Sequence, residues 1–346
     1  MPPNSVLTTL SGGPEYRRAT ASIGLLAAVA MVYLGGLEVA ARVLVPVHSA
    51  LTARIRSDWS AAVRFGGSPL PDRASFLVVG NSLLQAGIDR EELSALQRGN
   101  AANVAVLPIE NTAYLDWYFG ARRLLAEGSM PQFLVLCLTP ADLVSNLTDG
   151  AVFARILMRP ADILRVKQAA RLDWTTTSTY LMASASAWIG LSTEIRNWIR
   201  NETVPGMPEL AHYFLQRAAP FPHTDVVEEI VGRRLGQFAT LCAAHGCKGM
   251  VVIPPSLRDP GVLAALAHAG RAAGVPVLIP VAPGELGQSY FRDGFHLNER
   301  GADIFTLRLW EALEGISHAE LPDELFLTPA GPTSPRCPRS TPAVQC

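Results

Sequence analysis

The sequence predicts a three-layer α/β/α sandwich on a five-stranded, parallel, flavodoxin-like sheet, with a helical insertion after the third strand and a transmembrane helix at the N-terminus. Three observations predict it. Short β-branched runs alternate with helix-length segments through most of the chain, which is the pattern of parallel strands joined by crossover helices. That alternation fails over about 142–224, and one early stretch is apolar without a break.

That early stretch, 19–37, carries no charge. At about 1.5 Å of rise per residue it is about 28 Å long, close to the roughly 30 Å of bilayer hydrocarbon. Residues 19–45 are therefore read as an anchor through a lipid bilayer, and 1–18 as a cytoplasmic N-terminus. Arg17 and Arg18 precede the stretch and favour an outward body, although Arg42, Arg54 and Arg56 on the far side blur the asymmetry. A cleaved signal peptide is the rival, with Ala28-Val29-Ala30 resembling a cleavage site. Cutting there, however, would split the apolar run. Residues 46–73, rich in Gly, Pro and Arg toward their end, read as a linker.

The strands are expected at 76–79, 103–107, 133–138, 249–253 and 275–281, each bounded by Gly, Pro or Asn. Helices are expected at 89–98, where Asp89 can cap the first turn, and at 111–127, 225–245, 260–273 and 299–313. In the third, Val227, Ile230, Val231, Phe238, Leu241 and Cys242 form one apolar stripe. The insertion over about 142–224 holds Trp174, Tyr180, Trp188, Trp198 and Tyr213 in a mostly helical pattern interrupted by a Thr/Ser-rich segment at 175–180. It reads either as a cap over a site at the sheet edge or as an inert decoration. The domain proper spans 74–318, and 319–346 is a Pro-rich tail with too few large apolar side chains to fold.

Composition sets limits. Charged residues are 17% and hydrophobic residues 49%, which excludes disorder throughout. With Lys+Arg 29 against Asp+Glu 30 and no basic stripe, nucleic acid is excluded as a partner. Cys242 and Cys247 could pair in an oxidising space or stand as two buried thiols, Cys137 reads as core, and Cys337 and Cys346 fall in the tail. The histidines are scattered without ligand spacing, so no metal is expected, and no Gly-rich loop that would cradle a nucleotide follows the first strand. No cofactor is expected.

Two segments can carry chemistry. Gly80-Asn81-Ser82-Leu83 places Ser82 just past the C-terminal end of the first strand, where unpaired backbone N–H groups gather. Over two hundred residues later, Asp293-Gly294-Phe295-His296-Leu297-Asn298 follows the last strand. An Asp three positions before a His can hold one imidazole nitrogen and leave the other facing outward, as a general base requires. Both loops open at the C-terminal edge of a parallel sheet, where Ser82 and His296 can meet.

With these segments the sequence resembles the SGNH (GDSL-type) hydrolases over about 76–313, apart from the insertion. The resemblance implies a flavodoxin-like sandwich with Ser82 as nucleophile and first oxyanion donor, His296 as base and Asp293 as its orienting partner. Asn81 stands where the family usually has Asp. The second block, Asn103 to Pro108, lacks the expected Gly, and the third, Leu138-Thr139-Pro140-Ala141-Asp142, has Ala141 where Asn is expected. Asn111 and Asn146 are substitute oxyanion donors or solvated loop residues. An anchor followed by such a domain looks like bacterial envelope proteins, including the alginate O-acetylation proteins, that add or remove O-acetyl groups on polysaccharides. The resemblance implies an acylated carbohydrate substrate, an inner-membrane location with a periplasmic or extracytoplasmic domain, and a membrane acyl-transfer protein as partner. Esterase and acyltransferase stay equally open. The alternative is a non-catalytic, SGNH-like glycan-binding or assembly protein.

Overall fold

The computed structural model describes residues 14–66, 73–98, 100, 102–150, 153–192, 194–196 and 223–317. The Pro-rich tail with Cys337 and Cys346, His318, Trp198, His212 and Tyr213 lie outside the described residues.

Five parallel strands form one sheet: β1 Ala74–Gly80, β2 Ala102–Pro108, β3 Phe133–Cys137, β4 Lys248–Val252 and β5 Val277–Leu278, in the spatial order β2-β1-β3-β4-β5. All pairings are parallel, with Val79 opposite both Leu107 and Leu136. The strands fall where the apolar runs predict them, except that β5 is only the middle of the 275–281 run. Order reverses at β1, which has β2 on one side and β3 on the other. This reversal is the switch point at which open α/β sheets place their sites.

Alternate residues of β1 feed two cores, as a pleated strand dictates. Leu77 and Val79 pack with the larger cluster, which includes Tyr114, Trp117, Phe119 and Phe238. Phe76 and Val78 pack with Leu84, Phe305, Leu309 and Trp310 on the opposite face. All four β1 side chains are fully buried, which explains why this strand reads as a continuous rather than an alternating apolar run.

Helices cover both faces. On the Phe76 side lie α3 Ser82–Gly87 and α4 Arg90–Gln97, whose N-cap Asp89 accepts from the N–H groups of Glu91 and Glu92. The other core is covered by α5 Tyr114–Ala126, followed after β3 by the short α6 Pro140–Val144. Between α6 and β4 the insertion forms a π-turn at Phe153–Leu157, then α7 Ile163–Ala170, α8 Trp174–Ala185 and α9 Ala187–Gly190. The Thr/Ser-rich segment expected to interrupt this region instead lies inside α8. The hydroxyls of Thr177, Ser178 and Thr179 fold back onto carbonyls one turn earlier, so they do not compete with the helix. After it come a π-turn Val227–Val231, α10 Gly232–Ala244 and α11 Leu263–Ala273. The final helix is α12 Glu299–Ser317.

At the N-terminus α1, Pro14–His48, contains a 30-residue segment, Arg18–Val47, long and apolar enough to cross a membrane. The stretch expected to be a linker holds a second helix, α2 Ala50–Val63, whose N-cap Ser49 accepts from Thr52 N–H. It is ordered by burial: Ile55 and Ala62 belong to the larger core and Trp59 packs against it. Its polarity conceals this from composition alone.

Gly80, at the turn from β1 into α3, permits the close approach of β3. A Cβ there would lie 2.5 Å from the Cys137 carbonyl oxygen and 3.1 Å from Leu84 Cβ. Gly80→Ala therefore should cost about 1–3 kcal/mol of stability, as overpacking does. Urea unfolding of the two proteins measures it, and an unchanged midpoint would show that the strands separate freely at this turn.

Candidate active site

Ser82 is the first residue of α3, so its backbone N–H is among those a helix leaves without an intrahelical partner. Asn81, the N-cap, takes the next one, accepting from Leu83 N–H at 3.0 Å. The other half of the Asn81 amide donates to Asp142 Oδ2 at 2.9 Å and to the Thr112 carbonyl at 3.3 Å. Thus Asn81 pins the serine's helix to the loops after β2 and β3.

Asp142 is itself held by a capping box. Thr139 donates to it from both backbone N–H (3.1 Å) and hydroxyl (2.8 Å), and Asp142 N–H donates back to Thr139 Oγ1. Burial raises the Asp142 carboxyl above the usual range, and the hydrogen bonds from Thr139 and Asn81 oppose that rise. The Thr139-x-x-Asp142 spacing is a sequence signal for this cap; its connection to Asn81 is visible only in three dimensions.

The histidine comes from the loop between β5 and α12. That loop closes as a narrow turn, with Arg292 N–H donating to the His296 carbonyl at 2.8 Å, Phe291 bridged antiparallel to Leu297, and Gly294 at φ 90°, where side chains are strained. Asp293 Oδ1 accepts from His296 N–H at 2.8 Å and Phe295 N–H at 3.3 Å, while Oδ2 lies 2.7 Å from His296 Nδ1. The other ring nitrogen, Nε2, lies 2.9 Å from Ser82 Oγ. Ser82, Asp293 and His296 are therefore brought together as their positions after β1 and β5 predict.

Electrostatics sets the direction of these bonds. Burial pushes the Asp293 carboxyl upward, but the His296 ring and the two backbone N–H groups outweigh it and hold the acid below its ordinary range. An ionised carboxylate only accepts, so Nδ1 carries the proton and Nε2 is left to accept from the Ser82 hydroxyl. The Asp293 side chain is 3% exposed and the His296 side chain 15%, so the acid is enclosed while the ring keeps an open edge.

The helix after the histidine is docked on the helix after the serine. Thr306 of α12 accepts from Asp89 N–H at 2.9 Å, and its hydroxyl donates to the Gly87 carbonyl at 3.4 Å. A Cβ on Gly87 would meet the Phe305 ring at 2.9 Å.

Among the described residues neither substitute donor is hydrogen-bonded to Ser82. Asn111 is exposed, sits at φ 58°, and among the described residues makes no hydrogen bond to Ser82. Asn146 has its amide oxygen bonded to the Arg234 guanidinium, which also donates to the carbonyls of Leu143 and Ser145 and lies over the Tyr114 ring. Asn146 therefore secures the start of the insertion.

Sequence reasoning missed a strap from α2. Arg54 donates to both Glu110 oxygens at 2.7 Å, to the Pro108 carbonyl at 2.9 Å and to Gln85 Oε1 of α3 at 3.1 Å. Asp58, one turn on, lies 3.4 Å from Arg54 and receives Arg90 of α4 at 3.0 and 2.8 Å. The i, i+4 placement of Arg54 and Asp58 was the available signal, but their distant partners were not.

Two further acids border these loops. Burial is the main cause that pushes Asp116 up to about 7, against the donors Asp149 N–H and Ala113 N–H. Asp149 is likewise pushed up to about 7 by burial, then by the charges of Asp116, Glu194 and Glu110. Cys242 and Cys247 are free thiols, the second donating to the Cys242 carbonyl at 3.4 Å. Among the described residues no group of three or more His, Cys, Asp or Glu side chains could hold a metal ion.

No protein-family model matches the chain, and no curated protein matches it. A search of solved structures finds a likeness to one described as "Crystal Structure of TesA", at 14% identity and a TM-score of 0.36, covering 70% of this chain and 98% of that one. At that score the fold and the site stand on this chain's own geometry.

The raised acids carry a sign. Folded Asp149 binds a proton that the unfolded chain releases near the ordinary carboxylate value of about 4, so stability falls as pH rises from there to about 7 and then levels. Asp149→Asn removes this share. Its thermal midpoint relative to the parent should rise between pH 4 and pH 8, and a pH-independent difference would mean that Asp149 ionises normally.

Proposed function

We propose that this chain is a serine esterase or O-acyltransferase that acts on ester groups, with O-acetyl groups of an envelope or extracellular polysaccharide as the substrate class. The observation that carries the reading is the unbroken relay from Ser82 Oγ through His296 to Asp293, with contacts of 2.9 and 2.7 Å. The acyl group and its polymer come from the family resemblance.

The mechanism follows from the bond directions. His296 Nε2 takes the hydroxyl proton as Ser82 Oγ attacks the ester carbonyl, and Asp293 stabilises the imidazolium and keeps its orientation. The carbonyl oxygen, now negative, meets the Ser82 N–H at the start of α3. The backbone N–H groups of Glu110, Asn111 and Thr112, in the loop where Asn111 holds a left-handed conformation, are the second source of donors. As the tetrahedral species collapses, His296 returns the proton to the departing alcohol and the acyl group stays on Ser82. Water or a sugar hydroxyl, deprotonated by the same nitrogen, then releases it, and the acceptor decides between hydrolysis and transfer.

The location that suits this reading is a bacterial inner membrane, with α1 as a single-pass anchor and the domain on the extracytoplasmic side, where a membrane acyl-transfer protein could deliver the acyl group. One observation favours a non-catalytic glycan-binding protein instead. Asn111 is exposed and Asn146 is tied to Arg234 through its amide oxygen, and one missing oxyanion donor costs about 10²–10³ in rate.

Purified protein incubated with an aryl acetate and with a serine-reactive fluorophosphonate distinguishes the two. Hydrolysis and labelling should both vanish in Ser82→Ala. Asp293→Asn should fold normally and lose about 10³–10⁴-fold in turnover, because the ring then loses its proper tautomer. Labelling that is absent, or unchanged by Ser82→Ala, decides for the binding protein.

A further inference from the structure

The last turns of α1 are built unlike the rest of that helix. Glu38 is an acid within the apolar segment, yet four contacts satisfy it: an ion pair with Arg42 Nε at 2.7 Å on its own helix, and hydrogen bonds from the hydroxyl of Ser186, the N-cap of α9, and from Ala187 N–H and Trp188 N–H at 2.8, 2.8 and 3.1 Å. The anchor helix thereby caps a helix of the insertion with a partly exposed charge. Ala41, Ala187 and Leu191 close into a small apolar cluster at the same crossing, with Val45 and Ile195 packed against it.

Beside this crossing the two elements do not meet. A nearly all-apolar cavity of about 160 Å³ opens between them, lined by Ala40, Ala41, Leu44, Val45, Trp188 and Ile195, with Ser49 and Glu194 also touching it. Among the described residues the buried Glu194 Oε2 has no hydrogen-bond partner.

Length points to the occupant. The segment Arg18–Val47 has 30 residues, about 45 Å of helix against roughly 30 Å of hydrocarbon. Its upper end therefore sits among the lipid headgroups, yet Val39, Val43, Leu44 and Val47 there remain exposed and apolar. The insertion exposes apolar side chains of its own: Trp188 of α9, beside α1, is 37% exposed, and Leu181 and Met182 at the end of α8 are 40% and 50% exposed. Tryptophan beside apolar side chains at headgroup depth is the composition of a membrane-interface belt.

We propose that the slot between α1 and α9 is a phospholipid site, with an acyl chain against Ala40, Leu44, Trp188 and Ile195 and the glycerol ester beside Glu194, and that the α8–α9 elbow rests in the bilayer surface. The proposal rests on α1 being embedded in a bilayer and is independent of the esterase reading. Burial raises Glu194 above its ordinary carboxylate value, which favours the protonated acid that can donate to an ester carbonyl.

The test uses the full chain in nanodiscs containing a phosphatidylcholine with a diazirine on its acyl chain, with cross-links mapped by mass spectrometry after illumination. Cross-links on Trp188 and Ile195, in addition to outward α1 residues such as Leu26 and Val32, are expected. Ala40→Phe, which fills the slot from its open side, should abolish those on α9 and Ile195 while leaving Leu26 and Val32 labelled. Trp188→Ser gives an independent check through loss of labelling at Ile195. Labelled α1 with unlabelled Trp188 and Ile195 overturns the lipid site and leaves the anchor intact, whereas an unlabelled α1 overturns the anchor itself.

Discussion

Asp293 accepts three hydrogens at once, from the backbone of Phe295 and His296 and from the His296 ring, and those contacts keep it ionised although its side chain is almost enclosed. Every other feature of the candidate site takes its meaning from that charge. A neutral acid would donate to Nδ1 and turn Nε2 into the protonated nitrogen, so that Ser82 would face a donor instead of a base. The Gly294 turn matters because it brings carboxylate, ring and backbone N–H groups of four consecutive residues into contact. The α12–α3 docking matters because it fixes the ring's position relative to a hydroxyl held by a different part of the chain.

Local order in the sequence was enough to find those two ends. β1 and the loop after β5 each carry a short motif, and a parallel sheet delivers both to one edge whatever lies between them. The strands were equally legible, because residues such as Phe76 to Val79 are buried on both faces and leave a solid apolar run. What the runs could not show was the length of β5, where Pro276 and Pro280 flank a two-residue ladder and limit its hydrogen bonding.

The features that stayed hidden are polar and distant in sequence. Arg54 and Glu110 look like ordinary surface charges until the fold lays α2 across the end of β2. Asn81 and Asp142 read separately in the sequence, whereas in three dimensions they form one bond that ties the Ser82 turn to the third strand's loop. Asn146 shows the same dependence. Its residue type suits an oxyanion donor, but its amide oxygen is bonded to Arg234, which also holds the carbonyls of Leu143 and Ser145 and so secures the start of the insertion. Buried polar groups are paired, and which pairs form depends on packing that periodicity does not encode. The Thr/Ser-rich part of α8 was misread for a related reason, since hydroxyls discourage a helix only when they bond outside it.

The Arg54 strap also relates the site to the anchor. Val47 ends the apolar segment, Ser49 caps α2, and Arg54 lies in the second turn of that helix, about 10 Å of helical rise further on. From there its guanidinium touches the Pro108 carbonyl at the end of β2, Glu110 in the following loop and Gln85 of the serine's own helix. The insertion makes a second connection, from Glu38 of α1 through α9. Two independent contacts at different heights fix a rigid body in tilt as well as distance, where a flexible linker would fix neither. The loops around Ser82 are thereby tied to α1 at two places, through the Arg54 contacts of α2 and through the Glu38 contacts with the insertion.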